Sequence, residues 1–143
     1  MASAAVEAGH GSPAAAVVDD DDVAAMHAVF LLRHLGIGSV CVHHSVAAAI
    51  AAIRASVPPL VICDIEMPDG GGVSVLRVLA ERGCPCRVLL CSGHDERWQA
   101  RVIRAARLTG LPDISFAQKP LQASVLRDWL AAAGPLGPRD RAC

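Results

Sequence analysis

Short apolar runs recur five times along the chain, and between them apolar residues return at helical spacing. Ala14 to Val18, Ser39 to His43, Leu60 to Cys63, Arg87 to Cys91 and Ile114 to Gln118 read as strands. Asp22 to Leu35, a Ser45-capped stretch to about Ala55, Gly71 to Arg82, Asp95 to Leu108 and Gln122 to Ala133 read as helices. Gly36 and Gly83 stop the first and third helices, and Pro58-Pro59 stops the second. In the first helix, Met26, Val29, Phe30 and Leu32 are predicted to form the packed stripe. Strict alternation of strand and helix implies an open parallel sheet covered on both faces. The third and fourth runs agree, being continuously apolar as strands buried on both sides must be.

A chain of 143 residues suits one domain. We expect flexible residues 1–13, a folded domain over 14–133, and a tail or the start of a linker over 134–143. Aromatic residues are only 3%, so the core must be built from Ala, Val, Leu and Ile. The net charge is −1 and no basic patch stands out, which predicts no direct nucleic-acid partner. No apolar run reaches membrane-spanning length, and the N-terminus lacks the basic-then-apolar pattern of a signal peptide. Cys41, Cys63 and Cys91 lie inside apolar runs, and Cys84-Pro85-Cys86 is not a Cys-x-x-Cys pair. Together these predict a reduced, cytoplasmic protein with no membrane partner.

The chemistry gathers where the strands end. Asp19 and Asp20 follow the first run, Asp64 the third, Ser92 the fourth and Lys119 the fifth. In a doubly wound sheet, ligands bind beyond the carboxyl ends of the strands, so these groups converge on one rim. Each alone has a plainer reading: a helix-capping acid, a turn hydroxyl, a solvated lysine. A dinucleotide-binding turn is excluded, because Asp19 to Asp22 stand where Gly-x-Gly-x-x-Gly would have to be. Clustered carboxylates favour a hard divalent cation such as Mg²⁺, and a carboxylate attacking a phosphoryl group needs its charge neutralised. The set therefore suits phosphoryl transfer to a carboxylate.

Val17-Val18-Asp19-Asp20-Asp21, Val61 to Pro68 with Gly72, Leu89 to Gly93, and Phe116 to Pro120 together resemble the signatures of two-component response-regulator receiver domains. The resemblance runs from about Ala14 to Ala133. It implies a flavodoxin-like, doubly wound five-stranded sheet of order 2-1-3-4-5 with five helices, like that of chemotaxis regulators. It implies Asp64 as phosphoacceptor, and Mg²⁺ held by Asp19, Asp20, Asp64 and the backbone carbonyl of Glu66. Ser92 would be the switch hydroxyl, Lys119 the lysine that meets the phosphoryl group, and Phe116 the switch aromatic. The Lys119-Pro120 bond is expected to be cis. The implied partners are a sensor histidine kinase or histidine phosphotransfer protein and a downstream effector or fused output domain. A homodimer linked to phosphorylation is a further expected assembly.

Two departures stand out. The segment from Leu108 to Asp113 is longer than is usual before the fifth strand, as in some receivers attached to cyclic-di-GMP phosphodiesterase domains. Gly71 replaces an acid often found there. Two readings compete with a phosphorylation switch. One is an aspartyl-nucleophile phosphohydrolase with Glu66 as general acid, although no cap domain shields water. The other is a docking module that no longer accepts phosphate. His43 and His44 are adjacent on a strand end and should point apart. His94 reads as a loop residue, and Trp98 and Trp129 as packing residues on helices.

Overall fold

The computed structural model describes residues 13–69, 71–93 and 96–132. The expected tails, Pro13 apart, therefore lie outside the described residues, as does His94. Five strands, β1 (Ala15–Val18), β2 (Val40–His43), β3 (Leu60–Asp64), β4 (Arg87–Ser92) and β5 (Ile114–Gln118), alternate with five helices. These are α1 (Asp22–His34), α2 (Val46–Ala55), α3 (Gly72–Arg82), α4 (Glu96–Arg107) and α5 (Ala123–Ala132). The strands form one parallel sheet of order β2-β1-β3-β4-β5, the expected doubly wound arrangement.

Alternation along the strands divides the core into two layers. Val61, Cys63, Val88 and Leu90 pack with Val75, Leu76, Leu79, Val102 and Ala106 from the α3 and α4 side. Leu60, Ile62, Leu89 and Cys91 pack with Ala25, Val29, Leu32, Leu126 and Trp129 from α1 and α5. β3 is buried along its whole length, whereas edge strands β2 and β5 are largely half-buried.

Two expectations need correction. Met26 and Phe30 do not pack inward: they are 56% and 59% exposed, and Val23 is exposed with them. The buried stripe is Ala25, Ala28, Val29 and Leu32, because short Ala side chains let α1 lie close to the sheet. The second correction concerns redox state. Cys41, Cys63 and Cys91 are free thiols, but Cys84 is disulfide-bonded. Cys84 lies in the turn after α3 rather than in an apolar strand, so the argument from buried runs does not reach it.

The long segment before β5 is anchored. Gly110 takes a φ of 92°, and Leu111 then enters the core beside Ala106. The Asp113 carboxylate accepts from Arg87 Nε at 3.0 Å, and its carbonyl accepts from the Val88 N–H. Arg87 in turn lies 4.8 Å from the centre of the Trp129 ring, so Trp129 packs as predicted.

Gly72 has a stricter role. Its N–H donates to the Ile65 carbonyl at 2.9 Å, seating α3 directly behind the end of β3. A Cβ here would sit 2.8 Å from the Asp64 carbonyl oxygen and 3.2 Å from Cys63 Sγ. Gly72→Ala must push α3 off the sheet and should cost about 1–3 kcal/mol, as overpacking does. Urea unfolding should show a lower midpoint at unchanged slope. An unchanged midpoint would mean that α3 retreats freely and that the close contact is not required.

Candidate functional site

The register assembles the rim. Val18 lies opposite Cys63, so Asp19 and Asp64 leave adjacent strands at the same level. Asp64 lies opposite Cys91, and Ser92 opposite Gln118, which places Ser92 and Lys119 on the same edge. The Lys119 N–H donates to the Ser92 carbonyl at 2.7 Å, and the Lys119-Pro120 bond is cis, as expected.

Lys119 is the electrostatic centre of this group. Its Nζ donates to Asp19 Oδ2 at 2.9 Å and lies 3.4 Å from Asp64 Oδ2. Both carboxylates are buried, Asp19 at 5% exposure and Asp64 at 7%. Burial raises the Asp64 carboxyl above its ordinary value; Lys119 and the Glu66 N–H oppose this, but the charge of Asp19 adds to it. Burial alone would lower the Lys119 ammonium, but its hydrogen bond to Asp19 and the two nearby negative charges raise it instead. The neighbouring thiols are not nucleophiles: burial pushes Cys91 up to about 12 and raises Cys63 as well.

The acidic run after β1 divides its labour. Asp21 is the helix cap: its carboxylate accepts from the Val23 N–H at 3.0 Å. Asp19 and Asp20 are not spent on capping α1 in that way. Carboxylate oxygens of Asp19, Asp20 and Asp64 lie within 4.8 Å of one another, close enough for one cation to touch all three. Asp20 is exposed, which leaves the group open to solvent on that side. The donors are all hard oxygens, the chemistry that Mg²⁺ prefers.

Ser92 is fully buried at the end of β4. By alternation it lies on the α3–α4 side of the sheet, where Phe116 is partly buried opposite Leu90. The expected site residues Asp19, Asp20, Asp64, Ser92 and Lys119 thus share one rim, while Phe116 sits one layer below.

Two supports escaped the sequence reading. His44 Nδ1 donates to the Asp19 carbonyl at 3.1 Å and lies 3.4 Å from Asp22 Oδ1, which ties the acidic loop to the end of β2. The Asp69 carboxylate accepts from the Val46 N–H at 3.0 Å, tying the loop after Asp64 to the start of α2. Both join residues more than twenty positions apart, and only the strand order could have revealed them. A third feature is a cavity of about 360 Å³ that runs from Asp64 and Lys119 to Val23, Ala24 and His27 on α1.

The comparisons agree with this geometry. Response regulator protein TodT of Pseudomonas putida is 29% identical over 126 residues, covering 87% of this chain and 52% of TodT. Transcriptional regulatory protein FixJ of Azorhizobium caulinodans is 30% identical over 113 residues, covering 77% of this chain and 49% of FixJ. The chain therefore spans about half the length of these curated relatives. A solved response regulator from Colwellia psychrerythraea superposes with a TM-score of 0.68 at 27% identity, covering 83% of this chain and 94% of that one. The family model described as the response regulator receiver domain matches residues 15–130. With the strand order, the acid pair, Asp64 and the lysine all in place, the chain belongs to the response regulator receiver domain family.

Proposed function

We propose that this receiver domain accepts a phosphoryl group on Asp64 from a phosphohistidine of a sensor kinase or phosphotransfer protein. The observation that carries this is one buried carboxylate, Asp64, held 3.4 Å from an ammonium and within 4.8 Å of two further acids. An Asp64 oxygen attacks phosphorus as the phosphorus–nitrogen bond of the donor breaks, and the departing imidazole takes up a proton. The domain catalyses transfer to itself and later loss of the phosphate to water. It is a switch rather than a metabolic enzyme.

Asp19, Asp20, Asp64 and the Glu66 carbonyl would hold Mg²⁺. The ion supplies charge neutralisation for the incoming phosphoryl oxygens. Lys119 provides the second positive contact, and Asp19 keeps its ammonium in place. Ser92 supplies a hydroxyl donor to the aspartyl phosphate. Its turn toward that group would free space that Phe116 can enter, since both lie on the α4 side of the sheet. The phosphoryl group thereby favours one of two arrangements of Ser92 and Phe116. Val23 lines the cavity that leads to Asp64, and with the exposed Met26 and Phe30 it offers the donor protein an apolar docking face. The output belongs to a separate effector or to a fused domain, as the half-length match to TodT and FixJ suggests.

Acetyl phosphate with Mg²⁺ should add a single phosphoryl group to the intact mass, and Asp64→Asn should abolish it. Equal labelling of that variant would move the acceptor elsewhere. Mg²⁺ should also raise the melting temperature. At a concentration one hundred times Kd, mass action gives about 2.7 kcal/mol. In the Asp19→Asn/Asp20→Asn double variant that increment should vanish; if it survives, the ion is held by other groups.

A further inference from the structure

β2 is an edge strand, and two of its side chains carry chemistry that the phosphoryl site does not use. Cys41 and His43 stand two positions apart, so they project from the same face of the sheet. Their side chains meet there, with Cys41 Sγ 3.4 Å from His43 Nε2. With the ring proton on Nδ1, Nε2 accepts from the thiol. Cys41 is the one free thiol among the described residues that is not buried. Cys63 and Cys91 are sealed in the core, and Cys63 donates to the Asp64 carbonyl instead.

The pair opens onto a cavity of about 230 Å³, walled also by Ala16, Ala52, Ile53 and Pro58. Ala16 lies beside Cys41 in the register, and Ala52 faces them from α2. Both are too short to fill the space between sheet and helix. This cavity shares no lining residue with the one that leads to Asp64. Sites for drug-sized ligands begin at about 300 Å³, so an occupant here must be smaller.

A thiol, a proton acceptor and a small, mostly apolar cavity are the parts of a covalent modification site. We propose that Cys41 captures a small apolar α,β-unsaturated carbonyl compound, with His43 taking the thiol proton. Burial raises the Cys41 thiol above its ordinary value, so it rests protonated and needs a base when it reacts. The sulfur bonds to the β-carbon while its proton passes to His43 Nε2, and the carbon–carbon π pair moves onto the carbonyl oxygen as an enolate. His43 then returns the proton to the α-carbon. The product is a thioether; nothing leaves, and no oxidant is consumed. Two other occupants fit less well. A structural zinc ion takes four ligands, and this pair supplies two. A charged electrophile would lose its hydration against the apolar walls.

The test incubates the full chain with a small excess of cyclohex-2-enone and follows the intact mass. Acrylamide, a polar acceptor of the same reaction, is the comparison. One adduct should form, and peptide mapping should place it on Cys41. Cys41→Ser should abolish it, and His43→Gln should slow it at least about tenfold, as loss of a general base does. Ala52→Leu, which fills the cavity, should slow cyclohexenone and leave acrylamide little changed. A cooperative urea transition in each variant shows that it folds. An adduct mapped to another cysteine, equal rates for wild type and His43→Gln, or equal slowing of both reagents by Ala52→Leu would each overturn the proposal.

Discussion

Two buried carboxylates share one ammonium at the carboxyl end of the sheet. Lys119 reaches Asp19 at 2.9 Å and Asp64 at 3.4 Å, and the exposed Asp20 adds a third negative charge beside them. One cation cannot balance three acids, so the cluster is tolerated only with help. The N-terminus of α1, which follows the acidic run directly, contributes a favourable dipole. The Glu66 N–H donates to Asp64 Oδ1 at 3.2 Å. The remaining repulsion is what the proposed Mg²⁺ would relieve, and burial keeps Asp64 from being fully solvated as a carboxylate.

The surrounding structure serves to hold that cluster together. Parallel register brings Asp19, Asp64, Ser92 and Lys119 to one edge from four strands. The absence of a Cβ at Gly72 lets α3 begin against the Asp64 carbonyl. His44 and Asp69 secure the two loops that carry the acids, each from a distant part of the chain.

Much of this was legible in the sequence, for physical reasons. Buried parallel strands must be apolar throughout, so β3 and β4 announced themselves, and a polar residue ending such a run lies on the rim by construction. Helical spacing was less decisive. α1 offers two apolar stripes, and only contact with the sheet shows that Ala25, Ala28, Val29 and Leu32 pack while Met26 and Phe30 face solvent. The division of roles among Asp19 to Asp22 also needed coordinates, because any of them can cap a helix and only Asp21 does so for Val23.

Site and surface meet at α4. Ser92 and Phe116 lie on the side of the sheet that α4 covers, so a rearrangement at the rim has a packed route to the outer face. The most direct measurement of that claim is an amide NMR map recorded with beryllofluoride, a phosphoryl mimic, in the presence of Mg²⁺. Shifts should extend from Asp64 through Ser92 and Phe116 to Val102 and Ala106 on α4. Shifts confined to Asp19, Asp20, Asp64 and Lys119 would contradict the account and leave a site that binds the mimic without passing anything on.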